Sequence, residues 1–153
     1  MAEMLSVVVG GLLAVGGGGT MQWYLNKIQR ENEDKRQRAI KFEELVSAIY
    51  EYDHWLMTYR NIHTFGSDDT ETPTPFAKIQ AITLIYFPEH LEKVKELQNI
   101  ANDYIVWIHN AAVKRLAKDN SIQEGFKDVY QTYAAAHHEL LKDLSEFSKR
   151  VFK

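Results

Sequence analysis

Residues 51–54 have the types and spacing that metal chemistry needs. The segment reads Glu-Tyr-Asp-His and so contains a Glu-x-x-His motif. Two such motifs, together with two further glutamates, make the di-iron site of some helical bundles. The sequence has no second motif, and His54 lies two residues from both Tyr52 and Leu56, off the apolar face of its helix. We therefore interpret the motif as a solvated polar turn and predict no metal site and no cofactor.

His137 is the second candidate, because it lies on an apolar helical face between Tyr133 and Leu140. A histidine in such a position is usually a core residue whose ring nitrogens are hydrogen-bonded. In a bundle, the middle of its helix would be level with the middles of the other helices, near Asp53 or Asp103. We predict a buried polar site of His137, Asp53 and Asp103, either structural or serving as a pH sensor or small-ligand site.

Other signatures of catalysis are missing from the sequence. Its glycines do not precede the Gly-Lys-Ser/Thr ending of a phosphate-binding loop. No serine lies in a nucleophile elbow, and the absence of cysteine excludes disulfides and thiolate ligands. We predict no catalytic residue and a protein that is not an enzyme. A metal- or ligand-binding helical-bundle enzyme stays open as an alternative.

The chain that must position these residues begins with an uncharged segment. Residues 4–25 contain no Asp, Glu, Lys or Arg over 22 positions and include Trp23 and Tyr24 near their end. A helix of this length is about 33 Å long, enough to cross a hydrocarbon core of about 30 Å. We predict a single transmembrane helix; a cleaved signal peptide and a flexible glycine-rich tail are the alternatives.

Small residues recur at every fourth position of this segment, which places them on one helical face where another backbone can approach closely. We predict that this face packs against a second copy or against a partner transmembrane protein. Its members are Ser6, Gly10, Ala14 and Gly18.

The charges that flank the segment predict its orientation. Residues 26–41 hold six basic and three acidic side chains, whereas Glu3 alone is charged before the span. Basic residues near the end of a span stay in the cytoplasm. We therefore expect the N-terminus outside and the C-terminal domain in the cytoplasm. The residues expected at the membrane interface are Trp23, Tyr24, Lys27 and Arg30.

The same charges indicate which partners to expect. From residue 42 onward, seventeen acidic residues outnumber twelve basic ones, and the only basic cluster is the one beside the expected bilayer. We expect membrane lipid as a partner and no nucleic acid.

The rest of the chain predicts an all-α fold. Residues 26–41 are charged helix formers without Gly or Pro, which favours a helical stalk continuous with the span. In residues 42–153, apolar residues recur at helical spacing in three or four segments, the pattern of an antiparallel bundle with coiled-coil-like packing. The expected domains are residues 1–25, 26–41 and 42–153.

Two of these segments carry more detailed predictions. Residues 76–87 are apolar nearly all round, so we expect a short helix that is buried on every side. Residues 121–124 (Ser-Ile-Gln-Glu) have the form of a capping box that would begin the last helix.

The functional prediction is a non-enzymatic, single-pass membrane protein. It would form oligomers through its glycine-rich span and present a cytoplasmic bundle to a protein partner. The alternative from another class is a membrane-perturbing effector, of the toxin or host-defence type, whose spans assemble into a leak.

Overall fold

The computed structural model describes the backbone of residues 2–70 and 72–152, and the side chains of residues 26–70 and 72–152. All regular structure in these residues is helical, which confirms the predicted all-α fold. The helices are α1 (Ala2–Arg60), α2 (Phe76–Tyr86), α3 (Leu91–Leu116) and α4 (Phe126–Val151). A π-helical turn, Asn61–Phe65, follows α1, and a 3-10 turn, Pro88–His90, precedes α3.

The chain divides into two compact units, Met1–Ile40 and Lys41–Lys153. In the first unit, the side chains of residues 26–37 are all exposed. Among the described residues, no helix combines the length and the apolar character that crossing a membrane requires. The side chains of the expected span lie outside the described residues. They include the small-residue face (Ser6, Gly10, Ala14, Gly18) and the interface pair Trp23 and Tyr24.

Ring contacts in the second unit show that neighbouring helices run antiparallel. Tyr52 in α1 meets Phe76 at the start of α2, with ring centroids 4.9 Å apart. Further back in α1, Phe42 meets Phe87, just after the end of α2, at 5.6 Å. Because the order of contacts reverses between the two helices, α2 runs back along α1.

The helices α3 and α4 are related in the same way. Trp107, in the C-terminal half of α3, contacts Phe126 at the start of α4, with centroids 5.1 Å apart. His90, just before α3, contacts Phe147 near the end of α4 at 4.8 Å. The second unit is therefore an up-and-down helical bundle, as the sequence predicts.

The core is formed by the apolar faces that the spacing predicts. α1 buries four side chains of its expected face, α3 buries six of its own, and α4 buries four. They are Leu45, Ile49, Tyr52 and Leu56; Val94, Leu97, Ala101, Tyr104, Ile108 and Ala111; and Tyr133, Leu140, Leu144 and Phe147.

The expectation that α2 is buried on every side is wrong. Phe76, Ile79 and Ile82 face the core, but Leu84 and Ile85 are 61% and 69% exposed. An apolar sequence makes a helix able to be buried all round, whereas actual burial needs neighbours on each side. In this bundle α2 rests on its neighbours with one face only.

The capping-box prediction is also wrong, because α4 begins at Phe126 after Gly125, which has a left-handed φ of 75°. Glu124 does not reach back to Ser121 with its side chain. Its carboxylate instead accepts a hydrogen bond from Lys114 Nζ at 3.0 Å. Glu124 therefore ties the segment between α3 and α4 to Lys114, near the end of α3.

Gly66 ends the π-helical turn. Its φ of 72° lies in the left-handed region that favours glycine, and its amide donates to the carbonyl of Ile62 at 3.0 Å. A Cβ at Gly66 would displace the guanidinium of Arg115, which is the flexible end of that side chain. The turn therefore needs glycine for its backbone conformation.

Candidate functional site

His137 lies in the middle of α4 within a group of aromatic and polar side chains. Its half-buried ring stacks on Tyr133 and meets Tyr50 edge-on, with centroids 6.0 Å apart in both pairs. Its Nε2 atom is buried and makes no hydrogen bond within the described residues. Asp53, on α1, is partly buried and close enough to act on both His137 and Tyr133 electrostatically.

The structure thus brings together two of the three residues of the predicted polar site, His137 and Asp53. Asp103 is exposed on α3. The neighbouring residue, Tyr104, takes the inward position, and its ring lies 5.7 Å from that of Tyr133. Beside Tyr133, the inward-facing group of α3 is therefore the phenol of Tyr104 and not the predicted carboxylate of Asp103.

Burial determines the charge states of His137 and of the tyrosines in this part of the core. It lowers the pKa of His137 below its ordinary value, an effect that the Asp53 carboxylate opposes and His138 reinforces. Burial also raises the pKa of Tyr52 to about 12 and raises that of Tyr133, where Asp53 adds to the effect. A neutral imidazole among un-ionised phenols suits a structural role, because such groups need no counter-charge in the core.

A second polar group, absent from the sequence analysis, lies where α3 begins and α4 ends. Nδ1 of the buried His90 donates to Oδ2 of Asp143 at 2.8 Å. Lys93 Nζ binds the other carboxylate oxygen, Oδ1, also at 2.8 Å. Asp143 therefore accepts one charged or polar donor on each oxygen and ties the start of α3 to α4.

The pKa values of the two charged partners in this group move in opposite directions. Burial alone would raise the pKa of Asp143, but hydrogen bonds from Lys93 and His90, and the positive charge of these groups, lower it below its usual range. The hydrogen bond to Asp143 and the negative charge of that carboxylate raise the pKa of Lys93. The carboxylate form of Asp143 is thus the form that the fold favours.

A third group lies at the other end of the bundle, beside the π-helical turn. The Tyr59 hydroxyl and His109 Nε2 are hydrogen-bonded at 2.8 Å. The ring of His63, in the turn, lies 4.2 Å from that of Tyr59 and 6.4 Å from that of His109. A histidine four residues after a tyrosine is the only trace of this group in the sequence.

The residues of the suggested Glu-x-x-His motif lie at the surface. Glu51 and His54 are exposed, and Glu51 accepts a hydrogen bond from Ser47 at 3.1 Å. No set of three or more His, Asp or Glu side chains in the described part of the chain is arranged to hold a metal ion. Of the residues expected at the membrane interface, Lys27 and Arg30 are described, and both are exposed.

The outer face of α3 carries large apolar side chains that sequence reasoning did not single out. Val106, Val113 and Leu116 are 57%, 66% and 77% exposed. Val113 also lines an open groove of about 450 Å³ between the end of α3 and the link to α4. Two hydrogen bonds of Glu124 fix the groove: its carbonyl accepts from Trp107 Nε1 at 2.8 Å, and its carboxylate from Lys114.

The fold and these side-chain groups define an all-helical bundle protein. Neither a protein-family model, nor a curated protein, nor a solved structure matches the sequence.

Replacing His137 with leucine should make stability less sensitive to mild acid. Because the pKa of His137 is lowered in the fold, the wild type has its full stability above the unfolded value of 6.5 and loses part of it as the pH falls below that value. The measurement is urea unfolding at pH 7.5 and pH 5.5. His54→Leu, at an exposed position, should leave the wild-type difference intact. Equal acid sensitivity of His137→Leu and wild type would contradict the prediction.

Replacing Asp143 with asparagine should lower the free energy of unfolding at pH 7 by about 1–3 kcal/mol, because His90 and Lys93 lose a charged acceptor. The pKa of Asp143 is lowered in the fold, so its contribution is present above 3.8 and is lost as the pH falls through the folded pKa. The difference between variant and wild type should therefore shrink below about pH 4.

The control for this variant is Glu92→Gln, which removes a salt bridge to Lys95 of 2.7 Å between exposed side chains. Such surface pairs contribute about 0–1 kcal/mol. A loss as large as that of Asp143→Asn would show that Asp143 has no special role.

Proposed function

We propose that this protein is a non-enzymatic, single-pass membrane protein that associates through its glycine-rich span and presents its helical bundle, on the cytoplasmic side, to a protein partner. The observation that carries the proposal is the apolar outer face of α3. Supporting it are the 22 uncharged residues at positions 4–25 and the basic residues that follow them.

The spacing on the outer face of α3 fits a helical partner. Val106 and Val113 are seven residues apart, and Leu116 follows three residues later, which is the spacing of a seam between two packed helices. Full burial of such a side chain stabilises a complex by about 1.5–3 kcal/mol. An amphipathic helix of the partner could therefore bind by placing its apolar face along α3.

The groove beside Val113 adds a rigid wall to this surface. The two hydrogen bonds that Glu124 accepts hold residues 121–125 against α3, so this side of the groove is ordered before a partner binds. Preorganisation reduces the entropy that binding must overcome. Apolar side chains beside an ordered groove are typical of sites for protein partners.

The docking test uses the full-length chain in membranes and the double change Val113→Asp, Leu116→Asp. Chemical crosslinking followed by mass spectrometry should show a partner with the wild type, and its yield should fall at least about tenfold with the variant, the equivalent of about 1.4 kcal/mol. Both positions are exposed, so folding should survive.

The matched control is Gln131→Asp, Ser145→Asp, which adds the same charge at exposed positions of α4. It should leave the crosslink unchanged. If both double variants crosslink to the same extent, the outer face of α3 is not the docking site. Loss of membrane potential on expression of the wild type would favour a membrane-perturbing effector over an adaptor.

The orientation is tested by fusing a reporter after Lys153. A reporter that works only in the cytoplasm should be active, because the basic residues of positions 26–41 should keep this side of the span in the cytoplasm. Activity of an exported-side reporter at the same position would contradict the proposed topology.

A further inference from the structure

Three buried polar atoms in the middle of the bundle have no hydrogen-bond partner within the described residues. They are the hydroxyl oxygens of Tyr104 and Tyr133 and the Nε2 atom of His137. Both tyrosines are only 1% exposed, so neither hydroxyl can turn towards bulk water. Nearly all buried polar groups of folded proteins are hydrogen-bonded, either to protein or to ordered water. These three atoms therefore point to a partner that is not a neighbouring side chain.

The three side chains form one connected group across two helices. The ring of Tyr104 in α3 lies 5.7 Å from that of Tyr133 in α4, and Tyr133 lies 6.0 Å from His137, measured between ring centroids. Tyr133 and His137 are four residues apart and so share one face of α4. The unpartnered atoms therefore belong to one region of the interior.

A carboxylate of a third helix, that of Asp53 in α1, belongs to the same region. It acts electrostatically on Tyr104, Tyr133 and His137 alike, yet it makes no direct hydrogen bond to their unpartnered atoms. Asp53 is only partly buried, so water has a route to its carboxylate. We call this set of side chains the mid-bundle cluster; its members are Asp53, Tyr104, Tyr133 and His137.

The chemistry of the mid-bundle cluster selects its ligand. Phenol hydroxyls donate and accept hydrogen bonds, a neutral imidazole has one donor and one acceptor, and a carboxylate only accepts. An anion would be repelled by Asp53. Ring centroids about 6 Å apart are those of directly packed rings, which leaves no room for an organic molecule between them. The ligand must therefore be small, neutral, and able both to donate and to accept.

We propose that the mid-bundle cluster is an internal hydration site, in which ordered water enters beside Asp53 and bridges its carboxylate to the two phenol hydroxyls and the imidazole. A buried water molecule typically makes about three hydrogen bonds to groups that would otherwise be unsatisfied. The water donates to the carboxylate and accepts from a phenol, so each unpartnered atom gains a bond of the polarity that it needs.

This site links α1, α3 and α4 midway between the two polar groups at the ends of the bundle. A satisfied polar network in a core specifies one arrangement of its helices, because a slip of any helix leaves members of the network unpaired. The site lies within the bundle and does not rest on the proposed membrane anchor. Failure of the proposed topology would therefore leave it intact.

The sign of the effect of a Tyr→Phe substitution tests the site. If water bridges the hydroxyl of Tyr133, Tyr133→Phe removes a hydrogen bond, and the equilibrium constant for unfolding should rise about three- to tenfold. If the hydroxyl has no partner, the same change removes an uncompensated buried polar group, and the constant should fall. Tyr104→Phe should behave as Tyr133→Phe does. The measurement is urea unfolding of the full-length chain at neutral pH.

The matched control is Tyr50→Phe. The ring of Tyr50 also contacts His137, at 6.0 Å between centroids, but this tyrosine is 56% exposed, so its hydroxyl has bulk water as a partner. Its loss should change the unfolding constant by less than about twofold. An equal rise for Tyr50→Phe and Tyr133→Phe, or a fall for Tyr133→Phe, overturns the hydration site.

Two further results decide whether one site serves both phenols. The double variant Tyr104→Phe, Tyr133→Phe should unfold less readily than the product of the two single effects predicts, because the first change already disrupts the shared water. A double effect equal to that product overturns the shared site. A crystal structure of the full-length chain should show water within about 3 Å of both hydroxyl oxygens. A phenol that instead donates directly to Asp53 overturns the proposal.

Discussion

All four helical segments of the bundle meet at Phe147. Its ring, near the end of α4, contacts Phe42 of α1, Phe87 after α2 and His90 before α3, with centroid distances of 4.8–5.9 Å. One turn earlier, Asp143 binds Nδ1 of His90. A single turn of α4 therefore provides both the apolar contact and the polar acceptor that a buried histidine needs. This junction joins one end of each of the four helical segments.

The opposite end of the bundle is held by different chemistry. The π-helical turn continues the course of α1 and places His63 against Tyr59, whose hydroxyl bonds to His109 of α3. Arg60 adds cation–π contacts to Phe65 and Phe126, at 5.9 Å and 5.6 Å from the ring centroids. Since both ends are tied by side chains from several elements, the helices between them are held in fixed positions.

Helical spacing was sufficient to predict the core, because burial of a seam such as Leu45, Ile49 and Leu56 follows from periodicity alone. It also predicted His137 near Asp53, and the Asp53 carboxylate acts electrostatically on His137 in the structure. The same spacing puts Tyr104 on the buried face of α3, and Asp103, about 100° away around the helix, is exposed.

Two features had no adequate signal in the sequence. His90 and Asp143 are 53 residues apart, and neither lies in a motif, so only the packing of α3 on α4 brings them together. The exposure of α2 could not be predicted either, because a segment that is apolar all round has no preferred face. Its single covered face reflects how few neighbours α2 has in one copy of the chain.

The exposed apolar face of α3 connects the fold to the proposed association. The face is small: full burial of three such side chains is worth about 5–9 kcal/mol, and much of this is offset by the loss of translational and rotational freedom on association, about 4–15 kcal/mol. In the plane of a membrane, however, a weak contact between molecules that are already close adds its free energy to the contacts already formed. Under the proposed function, a bundle that keeps the α3 face on a rigid core would therefore bind its partner more readily in the membrane plane than in solution.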